Sequence, residues 1–170
     1  MTIEERTLSM LVNNRPGVLS RIAAVFSSRG YNINTLCVAE TIDPDVSRIT
    51  LTSSADSDFT DKIKKQLYKL VDVIEVSDFS GPAFLHRELM IFGVKVAPET
   101  RIEIMRAIER FGCRIATMSQ NYYILESTGS RAENEAVLAY FDPFGVEEMN
   151  RTGSVALKKT AGTDVSLQAS

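Results

Sequence analysis

One pattern of apolar residues runs through this sequence twice, each time in the order strand, helix, strand, strand, helix, strand. Leu8, Met10 and Val12 alternate with polar neighbours, as a half-buried strand requires, and Asn13-Asn14-Arg15-Pro16-Gly17 ends that run. Val18, Leu19, Ile22, Ala23, Val25 and Phe26 then recur at helical spacing. With Pro16 at the opening and Gly30 at the close, they place a helix over about residues 17–29. A hairpin follows, from Tyr31-Asn32-Ile33 through Val38, around Asp43-Pro44-Asp45, and back along Arg48 to Thr52. Phe59, Ile63, Leu67 and Leu70 mark the inner stripe of a second helix, and Val71, Val73, Ile74 and Val76 hand over to a fourth strand near Asp72.

The second round starts at Leu89, Ile91, Val94 and Val96, and continues in a helix carrying Ile102, Met105, Ile108 and Phe111 before Gly112. Strands are expected at about 114–118 and 122–126. Ser130 with Glu133 forms a capping box for a helix running to Phe141, and Val146 to Leu157 supplies a last strand. The expected organisation is α+β: two tandem ferredoxin-like βαββαβ domains over 5–80 and 87–159, a linker over 81–86, and a disordered tail over 160–170. Helices cover one face of each sheet. Apolar residues on the other face are expected to be buried against another sheet, within the chain or in a dimer.

Scarce residues narrow the chemistry. The 170 residues hold 19 Lys and Arg against 22 Asp and Glu, for a net charge of −3, which lacks the electrostatic footprint of a nucleic-acid binder. The ferredoxin-like fold also hosts RNA-binding modules that stack bases on central-strand aromatics, but Leu8–Val12 and Ile49–Thr52 carry none. No apolar run is long enough to span a membrane, and Met1–Arg6 is polar, so a cytoplasmic protein with reduced thiols is expected.

The single histidine, His86, has no nucleophile partner motif and reads as a solvated junction residue. Cys37 and Cys113 have no zinc spacing and read as small buried hydrophobes. Glu147 and Glu148, as strand neighbours, point to opposite faces. Lys62, Lys65 and Lys69 form the solvated face of a helix. There is no glycine-rich phosphate loop. No intrinsic catalysis and no metal are expected, which leaves a role in binding a small ligand or a protein.

The informative stretch is Asn13 to Leu19, where a polar strand end meets a helix start. Free backbone N–H groups there attract a carboxylate, and Gly17 lets a ligand approach without meeting a side chain. Asn14 and Asn32 offer side-chain amides to the amino or carboxylate group of a free amino acid. The same residues would equally start a helix at Pro16-Gly17 and satisfy a turn at Asn32.

Three runs decide the family likeness: Leu11 through Ile22, Phe26-Ser27-Ser28-Arg29-Gly30-Tyr31-Asn32-Ile33, and Asp43 through Thr50. Together with Gln66 through Val73, they resemble the ACT domain of the acetolactate synthase (acetohydroxyacid synthase) small subunit family. The likeness is strong over about 5–80 and weaker beyond, where Arg87-Glu88-Leu89 and Arg151-Thr152-Gly153 are its best echoes. It implies a regulatory subunit that activates a thiamine-diphosphate-dependent catalytic large subunit and confers feedback inhibition by valine or another branched-chain amino acid. A free-standing tandem-ACT amino-acid sensor for a different target is the alternative. The resemblance also implies a homodimer through ACT domains, with the effector held at Asn14, Pro16, Gly17, Val18 and Asn32. Thiamine diphosphate and Mg, with FAD as a further candidate, are expected on the catalytic partner and none on this chain.

Overall fold

The computed structural model describes residues 4–56 and 58–159; the expected tail over 160–170 lies outside the described residues. The first unit consists of β1 (Glu4–Asn13), α1 (Val18–Ser28), β2 (Thr35–Glu40), β3 (Val46–Ala55), α2 (Phe59–Leu67) and β4 (Val73–Asp78). Its strands form one antiparallel sheet in the order β2-β3-β1-β4. Register follows from alternation: Leu8 pairs with Leu51 and Met10 with Ile49, so these four turn to the helices and join Ile22, Phe26, Phe59 and Ile63 in a closed core. Tyr31 seals the end of this core edge-on to Phe59, with ring centroids 4.7 Å apart. The strand expected from Tyr31 begins at Thr35, just after Asn34, whose N–H already donates to the Thr52 carbonyl of β3 at 2.8 Å.

The second unit repeats the order with β5 (Phe84–Lys95), α3 (Arg101–Phe111), β6 (Arg114–Met118), β7 (Tyr122–Gly129), α4 (Arg131–Phe141), β8 (Val146–Arg151) and β9 (Val155–Lys158). Its sheet runs β6-β7-β5-β8, and β9 pairs with the start of β5. Met90, Phe92 and Val94 alternate into a second core with Ile104, Leu125 and Phe141. The capping box is present: Ser130 Oγ accepts from the Glu133 N–H at 3.3 Å, and the Glu133 carboxylate accepts from the Ser130 N–H at 2.6 Å.

Three further expectations change. The linker expected over 81–86 is strand from Phe84 onward, because Phe84 stacks on Phe79 at 4.2 Å and Phe84–Arg87 pair with β9. The last strand is interrupted. Arg151 pairs with Met90 and Val155 with Arg87, so Thr152, Gly153 and Ser154 stand opposite Glu88 and Leu89. This one-residue surplus is a bulge, which Gly153 accommodates at φ +80.

The third change concerns the sheet faces. Away from the helices, the first sheet carries the buried hydroxyls Thr7, Ser9, Thr50 and Thr52 beside the apolar Leu11, Cys37 and Ala39. Arg48 donates to Ser9 Oγ at 2.8 Å, and the Thr35 and Thr52 hydroxyls bond to each other at 2.8 Å. The second sheet also carries apolar residues on its open face, with Leu89 and Ile91 in line along β5.

Phe92 is fully buried against Phe141, ring centroids 5.3 Å apart. Phe92→Ala should therefore destabilise the second domain by about 3–5 kcal/mol. Urea unfolding followed by tyrosine fluorescence, with five Tyr and no Trp in the chain, reads this as a lower midpoint.

Candidate functional site

The strand-to-helix corner is held by backbone bonds to its neighbours. The Asn13 N–H donates to the Asp72 carbonyl at 2.9 Å and the Asn14 N–H to the Asp45 carbonyl at 2.7 Å. Gly17 then takes the N-cap position of α1 in the left-handed region, φ 84, where it supplies no side-chain cap. Among the described residues the N–H groups of Leu19 and Ser20 have no hydrogen-bond partner, and the first turn of α1 carries no acidic residue. Two aligned donors at a helix start are thus open to an anion.

One turn further on, Arg21 folds back over the corner, its Nη1 3.2 Å from where a Gly17 Cβ would stand. The same guanidinium pairs with the Asp72 carboxylate, which also accepts from Asn13 Nδ2 at 3.4 Å. The bonds from Arg21 and then Asn13 hold the Asp72 carboxyl below the usual carboxylate range, against the opposing effect of burial.

Asn14 lies exposed at this corner with its amide already committed, Nδ2 donating to Glu40 Oε1 at 3.1 Å and to the Pro44 carbonyl at 2.9 Å. What it offers a ligand is its side-chain oxygen, an acceptor for an ammonium group. Pro16 is exposed and Val18 turns its side chain into the core, so Val18 can contribute only backbone.

Asn32 is not there. Its Nδ2 donates to Asn34 Oδ1 at 2.8 Å and its carbonyl accepts from Ser53 Oγ at 2.7 Å, ahead of the first residue of β2. Asn14 is tied to Glu40, the last residue of β2. The six residues of β2 separate the two amides by about 20 Å at the usual strand rise. Within one chain the structure gathers Asn14, Pro16, Gly17 and Val18 and leaves Asn32 at the other end of an edge strand.

Arg21, Asp72 and Glu40 escaped the sequence reading. Asp72 carried a weak signal as the last residue before a β-branched run, but its approach to Arg21 depends on how β1 and β4 pair. Of the other residues considered, Cys113 is buried, and burial raises its thiol pKa, while Cys37 is half-buried on β2. His86 is half-buried in β5 rather than freely solvated, and lines a cleft of about 270 Å³ with Thr7, Thr35 and Ser80. Among the described residues no His, Cys, Asp and Glu are grouped to hold a metal ion. No described helix is long and apolar enough to cross a membrane.

Both halves match known families: residues 8–75 the ACT domain of acetohydroxyacid synthase small subunits, and residues 87–160 the small subunit of acetolactate synthase. The chain belongs to the acetolactate synthase small subunit family. Across 155 residues it is 37% identical to the acetolactate synthase isozyme 3 small subunit of Escherichia coli, covering 91% of this chain and 95% of that protein. With the acetolactate synthase small subunit of Mycobacterium leprae it shares 39% over 153 residues, 90% of each chain. The crystal structure of the acetolactate synthase small subunit from Thermotoga maritima superposes with a TM-score of 0.86 at 35% identity, over 93% of this chain and 99% of that one. The small-subunit likeness therefore extends through the second domain, where the sequence offered only two short echoes.

The Arg21–Asp72 contact has a pH signature. A native pKa below the ordinary 3.8 means its contribution is complete above that value and is lost as the pH falls through the lowered native one. Asp72→Asn should flatten the fall in stability on acidification, read as urea midpoints between about pH 5 and pH 2.

Proposed function

We propose that this chain is the regulatory subunit of acetolactate synthase: it activates the thiamine-diphosphate-dependent catalytic subunit and imposes feedback inhibition by valine or another branched-chain amino acid. The observation that carries this reading is the split of the candidate site between the two ends of β2. β2 bonds to β3 alone among the described strands, and Leu36 and Val38 on it are 37% and 43% exposed. An antiparallel pairing of β2 with β2 of a second copy would cover that edge and bring Asn32 of one chain to the Gly17 corner of the other.

An amino acid at that junction would place its carboxylate on the Leu19 and Ser20 N–H groups beside Arg21, and its ammonium on the side-chain oxygen of Asn14. Leu19, exposed next to the corner, offers an apolar surface to a branched side chain. The catalytic step, with its thiamine diphosphate and metal, belongs to the partner.

Mixing the chain with the catalytic subunit and following acetolactate formation tests the reading. The expected result is a rise in rate that valine reverses. An unchanged rate sinks the regulatory role, and activation indifferent to valine, leucine and isoleucine sinks the effector site. A chain that binds valine calorimetrically but leaves the enzyme unaffected would be a sensor for another target.

Gly17→Asp sets a negative side chain against the effector carboxylate, and Asn32→Ala removes the opposite half. Each should raise the half-inhibitory valine concentration at least about tenfold, about 1.4 kcal/mol of binding. Because the site spans two chains, mixing the two variants should restore one intact site per mixed dimer, and with it partial inhibition. A site confined to one chain would show no recovery.

A further inference from the structure

Arg87-Glu88-Leu89 and Arg151-Thr152-Gly153 share the family likeness yet take no part in the candidate site, and the fold sets them side by side. The Thr152 N–H donates to the Leu89 carbonyl at 3.1 Å, and the Leu89 N–H donates to Thr152 Oγ1 at 3.1 Å, so the threonine side chain closes the ladder where the bulge interrupts it. Behind the bulge Glu88, its side chain 2% exposed, accepts from Asn134 Nδ2 at 3.3 Å and faces Arg151 at 3.8 Å. Asn134 is itself fully buried and accepts from Ser127 Oγ at 2.8 Å, while Arg151 is fixed to Glu135 at 2.6 Å. The bulge thus projects from a tightly bonded base.

Its tip rests on the first domain. Gly153 is buried, and a Cβ there would lie 3.3 Å from Thr35 Cβ and 3.4 Å from the Leu36 backbone nitrogen. These are the first two residues of β2. Just before them stands Asn34, which holds the side chain of Asn32.

Around this close contact the junction is open. A cleft of about 580 Å³ separates Asn34 and Leu36 from Arg131, Leu138 and Met149, and the 270 Å³ cleft containing His86 adjoins it. Arg151 Nε, buried at this junction, has no hydrogen-bond partner. Arg131 crosses from the second domain to Glu5 at 3.1 Å, with both side chains close to half exposed. A third cleft, of about 690 Å³, lies between Cys37 and Ile42 of the first domain and Leu85 and Leu157 of the second, and a junction so lined with cavities leaves domain orientation as the soft coordinate of such a chain.

We propose that Gly153 is a positioning residue: its bulge seats the second domain on the start of β2, so that an effector held at Asn32 reaches the catalytic subunit as a change in domain orientation. This rests on the regulatory reading above. Glycine suits this place because φ +80 strains other residues, and because a Cβ would press Thr35 and the Leu36 backbone back by a few tenths of an ångström.

The test uses the reconstituted holoenzyme and two variants, Gly153→Ala and Arg131→Ala. The second removes only a solvent-facing pair of little worth to stability, so it folds even if the first does not. For Gly153→Ala, activation without valine and calorimetric valine binding should stay within about threefold of wild type, while the maximal inhibition at saturating valine falls by at least about half. Arg131→Ala should show a smaller loss in the same direction. Full inhibition in both variants, or a loss accounted for by weaker valine binding, overturns the proposal. A wild-type holoenzyme indifferent to valine overturns the regulatory reading instead, and this inference falls with it.

Discussion

The sheet order β2-β3-β1-β4 leaves β2 bonded on one side, and the backbone groups along its outer edge face away from the sheet. At one end of this strand Glu40 accepts from Asn14 and braces the corner that opens α1. At the other, Asn34 bonds to Asn32 and to Ser54, and the residues that follow support Gly153 of the second domain. An unpaired edge invites another strand. Here the groups suited to an amino acid are divided between its two ends, so completing the edge and completing the site become one event. The short length of β2 makes this geometry possible, because it sets the distance a second strand must match.

The corner itself works by electrostatic economy of parts. A left-handed glycine in place of a capping side chain leaves two helix donors open, and the Arg21 guanidinium brings positive charge into the space that a side chain at Gly17 would take. Asp72 keeps that guanidinium folded back toward the corner. Pairing between β1 and β4 brings Asp72 close enough to do so, since the Asn13 N–H bonds to its carbonyl. A residue at the start of one strand thus prepares the helix that follows another.

Features set by near neighbours were legible in the sequence. The alternation of Leu8, Met10 and Val12 named the core face of β1, and Ser130 with Glu133 named a cap that forms as expected. Both need only residues a few positions away. The surplus at Thr152-Gly153-Ser154 was not legible, because a bulge exists only relative to the strand it pairs with, and β5 lies some 60 residues earlier in the chain. The linker was misplaced for the same reason, since Phe84–Arg87 become strand through pairing with β9. In the candidate site, the residue types at Asn14, Gly17 and Asn32 could be read, but their separation by the length of β2 could not. Alternation likewise located the outer face of the first sheet, but the hydroxyls buried there beside Leu11 and Cys37 were masked by the expectation that buried faces are apolar.

Among the described residues the two hydrophobic clusters have no side chain in common. A substitution inside one interior is felt by the other only through the junction, where a bulge, an ion pair and three clefts intervene. Each half can therefore accumulate interior changes under its own packing constraints, without a compensating change in the other. Such independence lets two domains of one chain drift apart in sequence at different rates while remaining parts of the same working molecule.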